Sequence, residues 1–152
     1  MAEFTYNPIQ TVEPNQAVIL NTSIGCNKGY VIHRDGSGLV TLRGIVNNPY
    51  APFARYQVTF NANIALSEGA TVGPIAVALA IDGEALQTSR AIVTPAAVGD
   101  YFNVTSTAFV TVPRGCCAQV SVENVSISAT PGTTPAPEID VQNANMVITR
   151  VA

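Results

Sequence analysis

The sequence predicts an all-β domain, and three observations predict it. Branched residues lean to the β side, with 19 Val, 12 Ile and 15 Thr against 6 Leu; such stiff side chains fit a pleated surface better than a helix. Apolar residues recur at every second position instead of every third or fourth. Gly, Pro, Asn and Asp punctuate the apolar runs at short intervals. A chain of 152 residues suits one domain with its own core.

Taken in order, "MAEFTYNPIQ" has two aromatics and a proline but no sustained alternation. Residues 1–13 are therefore expected to form an N-terminal arm outside a domain that runs over 14–152. "QAVILN" (Gln16–Asn21) reads as a short strand. "GYVIHR" and "GLVTLRGIV" flank Asp35–Gly38, whose glycines suit a hairpin turn. A phosphate-cradling loop there is a poor reading, because no helical pattern follows. Arg55–Leu66 alternates cleanly: Tyr56, Val58, Phe60, Ala62, Ile64 and Leu66 share one face, with Gln57, Thr59, Asn61 and Asn63 on the other. Ile75–Ile81 is apolar on both faces and calls for cover on both sides. Asp82–Glu84 then turns the chain. "YFNVTSTAFVTV", "AQVSVENVSI" and "NANMVITRV" are three further strands, and the Pro- and Thr-rich Ser128–Ile139 is an exposed excursion before the last of them. Eight to ten strands joined by short turns mean a sandwich, barrel or jelly roll.

The strand order resembles that of the tumour necrosis factor/complement globular-head superfamily, and among its members the bacterial and phage ones, such as the C-terminal domain of the collagen-like exosporium glycoprotein. Four segments carry the resemblance: "IQTVEPNQAVILN", "ARYQVTFNANI", "VALAIDGEAL", and "STAFVTVPRGCCAQVSVENVS" with "NANMVITRVA". Tyr56, Val58 and Phe60 match the family's Gly-x-Tyr-x-Val-Ser-Phe strand. The resemblance implies an antiparallel jelly-roll β-sandwich of about ten strands, a compact homotrimer, and a role in binding or in forming fibre tips. Two departures stand out. No collagen-like stalk is present, and Gly115-Cys116-Cys117 replaces the family's Gly-Asp turn.

Composition narrows the function. Charged residues make up 11% and the net charge is −3, against roughly 25% charged in ordinary soluble domains. One Lys (Lys28) and six arginines without a basic run argue against nucleic-acid binding. So little charge also leaves a monomer poorly kept apart from its neighbours, which favours self-association. No apolar run approaches the roughly 20 residues of a membrane span. The N-terminus lacks the basic and apolar regions of a secretory signal. The chain is thus expected to be made in the cytoplasm and displayed on a virion, a spore or another extracellular surface; a trimmed leader would leave the same start.

Chemistry-bearing residues are few. His33 is the one histidine, and no Gly-x-Ser-x-Gly occurs. The carboxylates sit mostly in turns, and no Asp-x-Asp-x-Asp-Gly calcium loop is present. Zinc is disfavoured because the adjacent Cys116 and Cys117 of a strand would point to opposite faces. Cys116 shares the parity of Val120 and Val122 and is expected inward as a buried thiol. Cys117, with the parity of Gln119 and Ser121, is expected outward, bridged to Cys26 of its own or an adjacent chain. The alternative is three small buried hydrophobes in a reducing compartment. Tyr50 and Phe53, in "NNPYAPFA", mark the candidate binding loop. The expectation is a non-enzymatic, cofactor-free structural or display protein. Its partners are its own copies and capsid or other virion proteins. The alternative is a module of the same fold that binds a surface carbohydrate or a receptor.

Overall fold

The computed structural model describes residues 1–25, 29–128, 130, 132 and 134–152. In chain order the strands are β1 (Ala2–Tyr6), β2 (Gln10–Val12), β3 (Thr22–Ile24), β4 (Val31–His33), β5 (Val40–Arg43), β6 (Phe53–Leu66), β7 (Ile75–Ile81), β8 (Glu84–Ala85), β9 (Ala91–Val93), β10 (Phe102–Pro113), β11 (Cys117–Asn124) and β12 (Ile139–Arg150), with one 3₁₀ turn at Gln87–Ser89. They form two antiparallel sheets packed face to face. Sheet I runs β10-β6-β12-β1-β3, with β2 also on β12; sheet II runs β4-β5-β11-β7-β8, with β9 also on β7. This is the jelly-roll sandwich that the strand pattern and the resemblance imply.

Period-2 alternation places the core. Tyr56, Val58, Phe60, Ala62, Ile64 and Leu66 of β6 are all at most 1% exposed. They meet Ile75, Val77 and Leu79 of β7 and Val120 and Val122 of β11 in one cluster. The alanine face of β7 is covered too, with Ala76, Ala78 and Ala80 at most 1% exposed. Larger lateral neighbours flank these alanines: Glu123 pairs with Ala78 and Ile92 with Ala76. The turn after β7 has positive φ at both Asp82 (52°) and Gly83 (84°), the two-residue hairpin geometry that Asp-Gly favours. Asp35–Gly38 likewise lies in the hairpin that joins β4 to β5.

Three expectations are overturned. The arm over residues 1–13 is part of the sandwich: β1 lies between β12 and β3, β2 pairs with β12, and Phe4 is 0% exposed. The boundary at 14 therefore disappears. Five residues alternate too briefly to announce a strand, and its partner lies some 140 residues away. Gln16–Asn21 forms no continuous strand: it lies along β11 through Val18 N to Val122 O and Asn124 N to Gln16 O, with isolated bridges of Ala17 to Glu123 and Leu20 to Ser37; Asn15, at φ 63°, turns the chain before it. The inward Cys116 is the third, treated with its surroundings below.

Candidate functional site

Antiparallel pairing brings the start of β6, the ends of β10, β12 and β5, and the start of β11 to one end of the sandwich. Phe53 pairs with Pro113, Tyr56 with Arg150, and Arg43 with Cys117. Four of the chain's six arginines are gathered there: Arg43, Arg55, Arg114 and Arg150. In sequence they are scattered; the fold makes them a group. Arg55 lies on the outer side of sheet I with its Cζ 5.0 Å from the Phe109 ring centre, and Arg150 Cζ is 4.5 Å from that of Tyr30. Arg114 Nη1 donates to Pro49 O at 2.7 Å and Arg43 Nη1 to Gly29 O at 3.4 Å. Among the described residues no arginine pairs with a side-chain carboxylate; the one ionic contact is His33–Asp35 at 3.8 Å. Beneath the arginines the Tyr56 hydroxyl donates to Arg43 O at 2.5 Å. Burial pushes its phenol pKa up, while Arg150 and Arg43 pull against that shift.

The candidate loop with Tyr50 and Phe53 belongs to this end. Tyr50 is 91% exposed and Phe53 39%. The loop is braced: Tyr50 N donates to Asn48 Oδ1 and Arg114 N to Pro52 O. Residue 44 docks on the β10–β11 turn, with Gly44 N bonded to Cys116 O at 2.8 Å and Gly115 N to Gly44 O at 3.0 Å. A Cβ on Gly44 would stand 2.0 Å from Pro113 O, so the approach requires glycine. Cys116 is exposed and free, as is Cys117. Cys116 does not follow the inward parity because it precedes β11: its N–H closes the turn on Pro113 O around Gly115, at φ 77°. Cys26, the expected bridging partner of Cys117, lies outside the described residues.

The other end is acidic. A cavity of about 400 Å³ opens between the β6–β7 loop, residues 13–14 and residues 134–138. Pro74, Pro137 and Ile127 form walls, and Glu13, Glu68 and Glu138, all exposed, form its rim. Asp140 accepts from Ser67 Oγ at 2.7 Å and Thr11 Oγ1 at 2.9 Å. Tyr101 has its phenol pKa raised by burial and by the Asp140 charge. Among the described residues no group of three or more His, Cys, Asp or Glu side chains could hold a metal.

The outer face of sheet I is a ladder of small polar side chains. Thr105, Asn61, Asn145, Thr5 and Thr22 form one row across five strands; Thr107, Thr59, Val147, Glu3 and Ile24 form the next. These side chains largely satisfy one another: Thr59 bonds Thr107 at 3.1 Å, Asn103 and Thr105 donate to Asn61 at 2.9 and 3.0 Å, and Asn145 donates to Glu3 at 2.5 Å.

One cluster had no signal in the sequence. Ser23 Oγ lies 3.2 Å from both His33 Nδ1 and Asp35 Oδ1, so a serine does come to the histidine. The order is wrong for acyl transfer. The far ring nitrogen, Nε2, is held by the backbone oxygen of Ser37 at 2.9 Å, where a triad would place the carboxylate. The His33 side chain is 0% exposed and packs on the Phe4 ring at 4.6 Å. The cluster ties the edge of sheet I to the edge of sheet II.

No protein-family model matches the sequence, and no curated protein matches it. Solved structures share the fold. The globular domain of the zebrafish complement 1qA protein aligns with a TM-score of 0.58 and 14% identity over 96% of this chain and 94% of that one. The Eiger TNF from S. frugiperda aligns with a TM-score of 0.62 and 11% identity over all of this chain and 92% of that one. At such identities the likeness is one of fold.

Proposed function

We propose that the chain is a non-enzymatic, homotrimeric jelly-roll head that serves structure or display on the surface of a virion or spore. The supporting observation is the outer face of sheet I. Across it the charged groups Glu3, Arg55 and Asp140 are each engaged, by Asn145, Phe109 and the Thr11 and Ser67 hydroxyls respectively. Polar groups that already bond one another lose little on being covered, so a second copy can seat there without a large desolvation cost. Phe109 and Ile24, 55% and 50% exposed, add apolar area to the same face. On sheet II the outer side carries Glu84, Glu123 and Arg90 around an open depression, a poorer surface to dry. The resemblance to trimeric heads points the same way.

Light scattering during gel filtration tests the reading. The expected result is a trimer at micromolar concentration that Thr107→Arg, at an exposed position in the ladder, converts to a folded monomer. A wild-type monomer overturns it. The second reading, a module that recognises a surface carbohydrate or receptor, is favoured by Tyr50 and Phe53, two exposed aromatics on a braced loop.

A further inference from the structure

We infer that the arginine-rich end of the sandwich binds an anionic polysaccharide, a chain that bears carboxylate or sulfate groups along its length. The inference rests on the recognition reading above and deepens it by naming the ligand class.

The geometry selects that class in three ways. First, the cationic side chains gathered here among the described residues are guanidinium groups, whose fork of donors matches carboxylate and sulfate oxygens. Their partners on the protein are aromatic rings and main-chain oxygens, the Ala152 oxygen at 3.2 Å from Arg150 Nε among them, and among the described residues no side-chain carboxylate pairs with them. Second, they are spread out. Arg55 stands on the outer side of sheet I, Arg150 beside the buried Tyr56 hydroxyl between the sheets, Arg114 on the turn that joins them, and Arg43 opposite Cys117 on sheet II. A row of separate cations suits a repeated anion better than a single one. Third, Tyr50 and Phe53 offer flat apolar rings beside the cations, surfaces on which a sugar ring can lie.

Other polyanions fit less well. The backbone N–H groups of Gly44, Arg114, Gly115 and Cys116 are all spent within the protein, leaving none at this turn for the main chain of an acidic peptide. The net charge of −3 and the acidic far end repel a long, densely charged duplex.

Calorimetric titration of the full chain with defined probes decides the matter. The probes are a galacturonate hexamer, a neutral glucose hexamer, a polyglutamate peptide and duplex DNA, each at low and at high salt. The galacturonate hexamer is expected to bind at low salt and to weaken about tenfold or more at high salt. The exposed pair Arg43→Gln/Arg114→Gln, which leaves the outer face of sheet I untouched, should weaken it by about tenfold. Tyr50→Ala should weaken it with the salt dependence kept, and Arg34→Gln, on the β4–β5 hairpin, should leave it unchanged. The inference falls if the hexuronate fails to bind at low salt or if the arginine pair variant binds it as well as wild type. It falls equally if the neutral hexamer, the peptide or the duplex binds as tightly. None of these outcomes bears on the trimer, which light scattering reads separately.

Discussion

The two ends of the sandwich are built from the same long strands and carry opposite charge. β6 has Arg55 near its start and Glu68 just beyond its end; β12 has Asp140 near its start and Arg150 at its end. Each strand carries one charge of each sign, β6 once Glu68 is counted with it. Because β6 and β12 run antiparallel, the start of one meets the end of the other, and like charges collect. A net charge of −3 therefore conceals a molecule with a basic pole and an acidic pole. The poles also differ in how their backbone is held. At the basic end, loop docks on turn through main-chain bonds that only Gly44 permits. At the acidic end a buried side chain does that work: Asn124 Nδ2 donates to Val12 O and Pro137 O, both at 3.0 Å.

The contrast can be broken most completely by removing a strand that holds the sheet together. Deleting Met1–Tyr6 strips β1 from between β12 and β3 and removes Phe4, whose truncation to Ala alone costs about 3–5 kcal/mol. Set against a total of about 5–15 kcal/mol, the deletion is expected to leave the chain unfolded. Circular dichroism reads this directly; a folded truncated chain would return the segment to the status of an arm.

Next in size are the two anchors. Gly44→Ala forces a Cβ onto Pro113 O and should cost about 2 kcal/mol or more. Asn124→Ala leaves two carbonyls unpaired near the acidic loops and should cost about 1–3 kcal/mol. The two differ in where the damage appears: amide exchange is expected to quicken in residues 44–55 and 113–117 for Gly44→Ala, and in residues 12–14 and 134–138 for Asn124→Ala. The same pattern in both variants would mean that the ends are not independently held.

The smallest expected effect concerns Glu123, which flanks the acidic anchor. Burial raises its carboxyl pKa above the ordinary value. A raised folded pKa gives stability that is fully present below the unfolded pKa and is lost as pH rises through the folded one. At neutral pH the ionised group therefore weakens the fold. Glu123→Gln should raise Tm at pH 7 by about 2 °C and leave Tm unchanged at pH 3, where the carboxyl is protonated in both states. An equal gain at both pH values would show that packing, not charge, is responsible.

What the sequence determined by itself is whatever depends on neighbours along the chain. The alternation of Tyr56 to Leu66 determines which face is buried, since side chains two apart share a side. Asp82-Gly83 determines its turn, since that pair accepts positive φ. The weight of Val, Ile and Thr determines the fold class. Tertiary structure alone decided the rest, because each remaining feature is a meeting of distant residues. β1 is a strand only because β12 lies beside it. Cys116 faces solvent because the turn at Gly115, buttressed by Gly44, delays β11 by one residue. Ser23 reaches His33 across two sheet edges. Arg43, Arg55, Arg114 and Arg150 lie far apart in sequence, and antiparallel pairing, which joins strand ends with no regard to charge, made them one surface.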